Sequence, residues 1–367
     1  MTIFYLPLEA YRERYTKQLR DWTLSCFQRR GVAYQEVLGD SAEETLVQTG
    51  VVLDAHRRSQ YALTQMAFLV GLLQTGVVSS QDVIYLQDMF HPGYEALPYI
   101  FEQTHVWPRI FLRNWAQSID PDDFTFSMRR WMRLYEMLVD RSAAGVFLAS
   151  MCQVEMSRLA LLECPLHVVG LPFDQDEVRG HVALLACWSD RPKRILFSSR
   201  LDAEKQPHFY FDLIEYACSQ QVLSEYEFAV CTSAARLRSN QAGVIERAYA
   251  LRDAGKLAVY ENLTKNDYYA LLSNSRIQFN CARQDFVSFT MLEASAFGTI
   301  TLAPAYKSFP EALFHSPRQL YVPWSVPDAL ARLVAAIENP PLEDVGRPAE
   351  FHSNTLDREL DVLCEFI

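Results

Sequence analysis

Short apolar runs, each followed by a stretch of helical periodicity, recur along these 367 residues and restart once near the middle. In the first half the runs are Ile3–Leu6, Val51–Leu53, Val83–Leu86, Arg109–Leu112, Val146–Leu148 and His167–Val169, with amphipathic patterns such as Tyr61 to Leu73 and Phe126 to Val139 between them. The second half opens on Arg194-Ile195-Leu196-Phe197 and continues through Glu227–Cys231, Leu257–Tyr260, Ile277–Asn280, Thr299–Ala303 and Gln319–Val322. A strand that must cross over a helix before the next strand pairs in parallel, and its sheet is covered on both faces. The pattern therefore predicts an α/β chain with two doubly wound domains. Proline and charge between Leu171 and Pro192 mark the division, giving residues 1–175 and 190–345, with 346–367 as an extension ending in a helix from Thr355 to Phe366. Ligands of such sheets bind outside the carboxyl ends of the strands, so a cleft between two facing domains is the default site.

Half of the residues are hydrophobic and 22% are charged, enough apolar material for two cores. No stretch approaches the roughly 20 apolar residues of a membrane span. The start, Met1-Thr2-Ile3-Phe4-Tyr5-Leu6-Pro7, lacks a basic flank and a cleavage site and reads as a buried strand. The eight cysteines form no C-x-x-C pair, so they read as reduced core residues of a cytoplasmic protein, with no metal site and no permanent cofactor. A net charge of −11 argues against indiscriminate attraction to nucleic acid or anionic membrane, and leaves room for a local basic face.

Two segments carry chemistry. The first is Ser199-Arg200-Leu201-Asp202-Ala203-Glu204-Lys205, directly after the strand that opens the second domain. Two cations beside unpaired backbone N–H groups at a strand's carboxyl end suit a diphosphate. The second is Asp285-Phe286-Val287-Ser288-Phe289-Thr290-Met291-Leu292-Glu293-Ala294-Ser295-Ala296-Phe297-Gly298, a loop that becomes a helix near Ser288 and stops at Gly298. Two acids on one loop–helix unit can grip sugar hydroxyls and a ribose diol, while the helix N-terminus holds phosphate oxygens.

Together these segments resemble the donor-binding domain of GT-B-fold glycosyltransferases, family 4 in particular, over about residues 194 to 335. Arg200 and Lys205 match the family's cation pair, and Glu293-Ala294-Ser295-Ala296-Phe297-Gly298 matches its Glu-Ala-x-Ala-x-Gly run. Asp285 replaces the usual glutamate, and Ser288 stands where glycine is usual. The resemblance implies two Rossmann-like domains and transfer of a sugar from a nucleotide-sugar donor, a UDP-sugar as first choice, to a hydroxyl group. It implies that Arg200 and Lys205 neutralise the departing diphosphate, that Glu293 holds the ribose, that Asp285 contacts the sugar, and that backbone at Ser288, Phe289 and Thr290 meets phosphate. It further implies retention of anomeric configuration. An inverting route would need a base, for which Asp120, Asp88 and His91 are candidates.

In the first half, polar clusters follow apolar runs at Asp54-Ala55-His56-Arg57-Arg58-Ser59, Asp88-Met89-Phe90-His91-Pro92-Gly93 and Gln117-Ser118-Ile119-Asp120-Pro121-Asp122-Asp123. They are expected on the acceptor rim, with His56, His91, Asp88 and Asp120 as acceptor-orienting or proton-accepting groups. No glycine-rich turn follows the first strand. Arg12, Arg14, Lys17 and Arg20 instead interleave with Tyr11, Tyr15 and Trp22, a pattern suited to a polyanion with stackable bases. With the Asp54–Ser59 and Asp88–Ala96 segments, it is similar to phage glycosyltransferases acting on hydroxymethylated pyrimidines in DNA. That resemblance implies the 5-hydroxymethyl group as acceptor, DNA as partner and a host cytoplasm as location. Polysaccharide, lipid and small-molecule acceptors are the alternatives, as is a non-catalytic nucleotide-sugar-binding protein.

Overall fold

The computed structural model describes residues 1–11, 15–40, 55–283 and 285–365; the expected strand Val51–Leu53, together with Arg12, Arg14 and Asp54, lies outside them. The chain divides into two compact units, Met1–Pro172 with Asn354–Ile367, and Phe173–Ser353.

The first unit holds a six-stranded sheet in the order β2 (Tyr34–Glu36), β1 (Ile3–Leu6), β3 (Val83–Leu86), β4 (Arg109–Arg113), β5 (Gly145–Leu148), β6 (Leu166–Val168). Every pairing is parallel, with Ile3 opposite both Tyr34 and Val83. Its helices are α1 (Tyr15–Arg29), α2 (Ala55–Gln74), α3 (Leu97–Thr104), α4 (Arg129–Ser142) and α5 (Met151–Leu159). Alternate strand residues point to opposite faces. Phe4, Leu6, Ile84, Leu86, Ile110 and Leu112 accordingly pack under α2, α3 and α4 through Leu69, Phe101 and Val139. Ile3, Tyr5, Val83, Tyr85 and Phe111 pack on the other face with Cys26 and Phe27 of α1.

The second unit holds α6 (Gln175–Gly180), then a sheet in the order β12 (Leu320–Tyr321), β11 (Ile300–Pro304), β10 (Ile277–Phe279), β7 (Arg194–Phe197), β8 (Glu227–Cys231), β9 (Ala258–Tyr260), again parallel throughout. Between and after its strands run α7 (Pro207–Ser219), α8 (Val244–Asp253), α9 (Lys265–Ser273), α10 (Phe289–Ala296), α11 (Phe309–Ala312), α12 (Val326–Glu338) and α13 (Arg347–Ser353). Counted from β7, the order is 3-2-1-4-5-6, the dinucleotide-binding order whose direction reverses between its first and fourth strands.

The extension expected as one piece from 346 is divided. α13 packs on α10, whereas α14 (Thr355–Cys364) packs on α1. Leu360 and Leu363 of α14 enter the core beside Tyr85 and Phe147. Its Glu359, buried, pairs with the fully buried Arg113 of β4 and accepts a hydrogen bond from Tyr85 Oη at 2.9 Å. Asp357 and Asp361 pair with Arg29, the last residue of α1, and Arg30 just beyond it, at 2.7 Å each. A charge with no solvent needs its partner, so the Arg113–Glu359 pair ties α14 to the first sheet.

Candidate functional site

The direction reversal in the second sheet lies between β7 and β10, and the loops leaving their carboxyl ends carry Arg200, Lys205 and Asp285. After β7, Lys205 ends a single tight turn, its N–H bonded to Asp202 O at 2.9 Å. Gln206 takes the left-handed conformation (φ 55°) and Pro207 starts α7. The Lys205 side chain is nearly buried, and its Nζ lies 2.9 Å from Asp285 Oδ2. Two further bonds hold this pair in place. Arg283 N–H donates to Glu204 O at 2.8 Å, stitching the two loops together. Ser308 Oγ, from the loop after β11, donates to Asp285 O at 2.8 Å. Three strand ends thus fix one cation–carboxylate pair.

Arg200 points elsewhere within this loop. Half-exposed, it donates to Asp202 Oδ2 at 2.8 Å and Glu204 Oε1 at 2.7 Å. Asp202 in turn accepts from Asn240 N–H at 3.0 Å, which ties the turn to the loop after β8.

Helix α10 is entered through Ser288, directly after the loop's last buried apolar side chain, Val287. Ser288 has φ −88° and ψ 124°, an extended conformation open to any residue, so serine costs nothing at this position. The hydroxyls of Ser288 and Thr290 are 3.0 Å apart at this helix start. At the other end, Gly298 (φ 67°) completes a Schellman arrangement: Thr299 N–H reaches Ala294 O at 2.8 Å and Gly298 N–H reaches Ser295 O at 3.0 Å. Buried Arg191 donates to Phe297 O at 2.7 Å and Gly298 O at 3.2 Å, and Arg179 to Ala296 O at 2.7 Å. Two guanidinium groups on the negative end of the dipole hold α10 with its positive end toward the loops.

Glu293, in the second turn of α10, is buried and receives three donors: Lys265 Nζ at 3.1 Å, Tyr268 Oη at 2.7 Å and Tyr269 Oη at 3.2 Å. Desolvation, reinforced by the Glu293 carboxylate, holds the Tyr268 hydroxyl well above the usual phenol range, so it stays a donor. Lys265 and Tyr268 went unnoticed in the sequence. Their signal is the Thr264–Asp267 capping box, which begins α9 early enough to put both on the face that meets α10.

In the first sheet the reversal falls between β1 and β3. Glu9 after β1 pairs with Arg57 at 3.0 Å and accepts from Tyr11 Oη at 2.6 Å, with Arg57 over the Tyr11 ring at 4.7 Å. Asp88 after β3 pairs with Arg58. Contrary to the expectation of a rim loop, His56 to Ser59 lie in the first turns of α2. His91 is buried, with Nε2 2.7 Å from Gln65 Oε1, and burial pushes its pKa down to about 4. Asp120 is fully buried and accepts from Asp122 N–H at 3.0 Å, closing a turn. Of the expected basic stripe, the two described cations are paired, Lys17 with Asp21 and Arg20 with Glu36 at 2.6 Å, and Trp22 is buried. Among the described residues no cluster of three or more His, Cys, Asp or Glu side chains could hold a metal ion, and no helix is long and apolar enough to cross a membrane.

Two parallel six-stranded sheets with flanking helices, the second in dinucleotide-binding order, are the two Rossmann-like domains of the GT-B fold. The chain is similar over 99% of its length, and 96% of the other chain, to an α,α-trehalose-phosphate synthase (UDP-forming) from Burkholderia vietnamiensis, with TM-score 0.66 and 12% identity. Sucrose-phosphate synthase from Thermosynechococcus elongatus matches with TM-score 0.65 and 9% identity over 99% of this chain and 95% of that one. A pneumococcal O-GlcNAc transferase, solved with UDP and GlcNAc, matches with TM-score 0.57 and 12% identity; 82% of this chain is covered, which spans 60% of that protein. At such identities these likenesses establish the fold alone. No protein-family model and no curated protein matches the sequence.

Proposed function

We propose that this chain is a glycosyltransferase that moves a sugar from a nucleotide-sugar donor, a UDP-sugar by preference, to a hydroxyl acceptor. The observation that carries this reading is the Lys205–Asp285 pair at the direction reversal of the second sheet, with Glu293 on the helix that follows Asp285. The chemistry needs that combination. As the bond from the anomeric carbon to the phosphate oxygen breaks, the diphosphate gains negative charge, and preorganised cations lower the barrier. Lys205 and Arg200 supply that charge, exchanging Asp285, Asp202 and Glu204 for phosphate oxygens. Glu293, held by Lys265 and Tyr268, accepts hydrogen bonds from the ribose hydroxyls. Asp285, once released by Lys205, accepts from a sugar hydroxyl. The start of α10 at Ser288, Phe289 and Thr290 meets the phosphates.

UDP is the preferred nucleotide because the structural relatives include proteins described as UDP-forming or bound with UDP. We assign retention of configuration, as in the family 4 enzymes that the donor segments resemble. Attack on the same face lets the departing phosphate oxygen take the acceptor's proton, so no side-chain base is required. The three base candidates favour this route, since His91, Asp88 and Asp120 are all buried and bonded.

For the acceptor we assign the 5-hydroxymethyl group of a modified pyrimidine in DNA, on the resemblance carried by residues 7–22 together with the Asp54–Ser59 and Asp88–Ala96 segments. Reaching it in a duplex requires extrusion of the base from the stack. The test is incubation with a panel of nucleotide sugars and hydroxymethylated DNA, followed by digestion and mass measurement of the nucleosides. A hexose mass gain on the hydroxymethyl nucleoside is expected. Gain only on a carbohydrate or lipid would reassign the acceptor, and turnover of no nucleotide sugar at all would overturn the class.

A further inference from the structure

We propose that the exposed face of α4 is a docking surface for nucleic-acid phosphates, on which Trp131 offers a stacking platform to an unpaired base. The proposal rests on the DNA acceptor argued above and names where that polyanion sits. The chain carries a net charge of −11, yet the exposed side chains of α4 are Arg129, Arg130, Trp131, Arg133, Leu134, Met137 and Arg141, without one acid. The two acids of the helix are engaged elsewhere. Glu136 is buried and accepts from Ser118 N–H and Oγ, and Asp140 accepts from the N–H groups of Glu163 and Cys164. Asp140 also lies 3.9 Å from Arg141, at the far end of the helix. Arg129, Arg130 and Arg133 at the near end form a local positive field, and planar guanidinium forks suit phosphate. Asp122, half-buried in the segment before the helix, leaves that balance positive.

The order of residues around the helix favours nucleic acid over lipid. Turning about 100° per residue, Met137, Arg130, Arg141 and Leu134 fall within roughly 60° of one another, with the arginines between the apolar side chains. A helix that lies in a membrane keeps an uninterrupted apolar face with cations at its flanks. Here Arg130 and Arg141 interrupt the exposed face between Met137 and Leu134, and the apolar run from Leu134 through Leu138 to Trp131 is only about 60° wide. Trp131, Leu134 and Met137 are 55%, 67% and 57% exposed beside these arginines, and aromatic side chains next to cations are how charged grooves hold a single strand.

Position supports the same use. A crossover helix runs back against its strands, so α4 begins on the carboxyl-end side of the first sheet, where ligands of such sheets bind. Its Tyr135 Oη donates to Met89 O and His91 O at 2.9 Å and accepts from His91 N–H at 3.1 Å, anchoring the loop after β3. Trp131 lies one turn earlier on the same side. A strand held along Arg130 and Arg133 would therefore pass beside the loop that carries His91.

The test uses the full chain and a short labelled oligonucleotide containing 5-hydroxymethylcytosine, single-stranded and duplex, with anisotropy read across a salt series. The double variant Arg130→Ala/Arg133→Ala should lower the slope of log affinity against log salt by about 2 on duplex. Trp131→Ala should weaken single-strand binding about tenfold with the slope unchanged. All three side chains are exposed, and circular dichroism checks that each variant folds. An unchanged slope in the double variant overturns the proposal, as does arginine-dependent binding of phosphatidylserine vesicles by a chain that ignores the oligonucleotide. UDP binding by calorimetry separates the two readings: a chain that binds DNA through α4 but not UDP would refute the donor assignment and leave this surface supported.

Discussion

Replacing Lys205 with methionine removes one positive charge from the second unit while keeping most of the side chain's apolar stem. A phosphate oxygen about 4 Å from the ammonium, at an effective dielectric of about 20, feels roughly 4 kcal/mol of gross attraction. Losses of single preorganised charge-stabilising groups run at about 3–4 kcal/mol. Lys205→Met should therefore lower kcat/KM for the nucleotide sugar by about 10²–10³. The variant also breaks the 2.9 Å pair with Asp285, whose side chains are 11% and 21% exposed. A charge-assisted hydrogen bond at that exposure contributes about 2 kcal/mol, or roughly 4–8 °C in the Tm of a unit of this size. Asp285→Asn loses the same pair and should show a similar Tm drop while keeping the cation. Steady-state UDP release and thermal unfolding, run on both single variants and the double, separate the two effects. If Lys205→Met shows the Tm drop but keeps kcat/KM within threefold of the parent, the pair is structural and its catalytic assignment is wrong.

Glu293→Gln should raise the donor's KM about ten- to a hundredfold and erase discrimination between UDP and 2′-deoxy-UDP in competition assays, since the ribose loses a charged acceptor. Unaltered discrimination would place the ribose elsewhere. His91 stays neutral in the fold until about pH 4, whereas an unfolded chain protonates it near 6.5. Its contribution is complete above pH 6.5 and is lost as pH falls toward 4, at about 1.4 kcal/mol per unit and about 3 kcal/mol in total. Urea unfolding between pH 4 and 7 should show this slope, flattened by about one proton in His91→Asn. Glu359→Ala leaves the buried Arg113 without its carboxylate and should destabilise the first unit by about 3–5 kcal/mol, read as a lower urea midpoint; an unchanged midpoint would show that α14 is held by its apolar face alone.

The central strands and the loops that bring Lys205 to Asp285 were legible because each declares itself locally. Val83–Leu86 and Ile195–Phe197 are buried on both faces, so they read as unbroken apolar runs. Lys205, Asp285 and Glu293 stand at fixed distances from the strand ends and helix start that use them. By contrast, β2 was missed because an edge strand of three half-buried residues, Tyr34-Gln35-Glu36, has no such run. Lys265 and Tyr268 reach Glu293 across 28 and 25 residues, a contact set by how α9 packs on α10. The docking of α14 depends on a pair 246 residues apart in sequence. Helical periodicity predicts α4 but not which stripe turns inward. Met132 and Val139 are buried while Trp131, Leu134 and Met137 are left outside.

Hydrogen exchange with and without UDP-glucose tests most directly whether one donor is held by Arg200, Lys205, Asp285 and Glu293. Slowed exchange is expected in three segments of the second unit together: 199–206 after β7, 283–293 through the start of α10, and 264–269 at the start of α9. Slowing confined to other segments, or to one of these three alone, would contradict a shared nucleotide-sugar site.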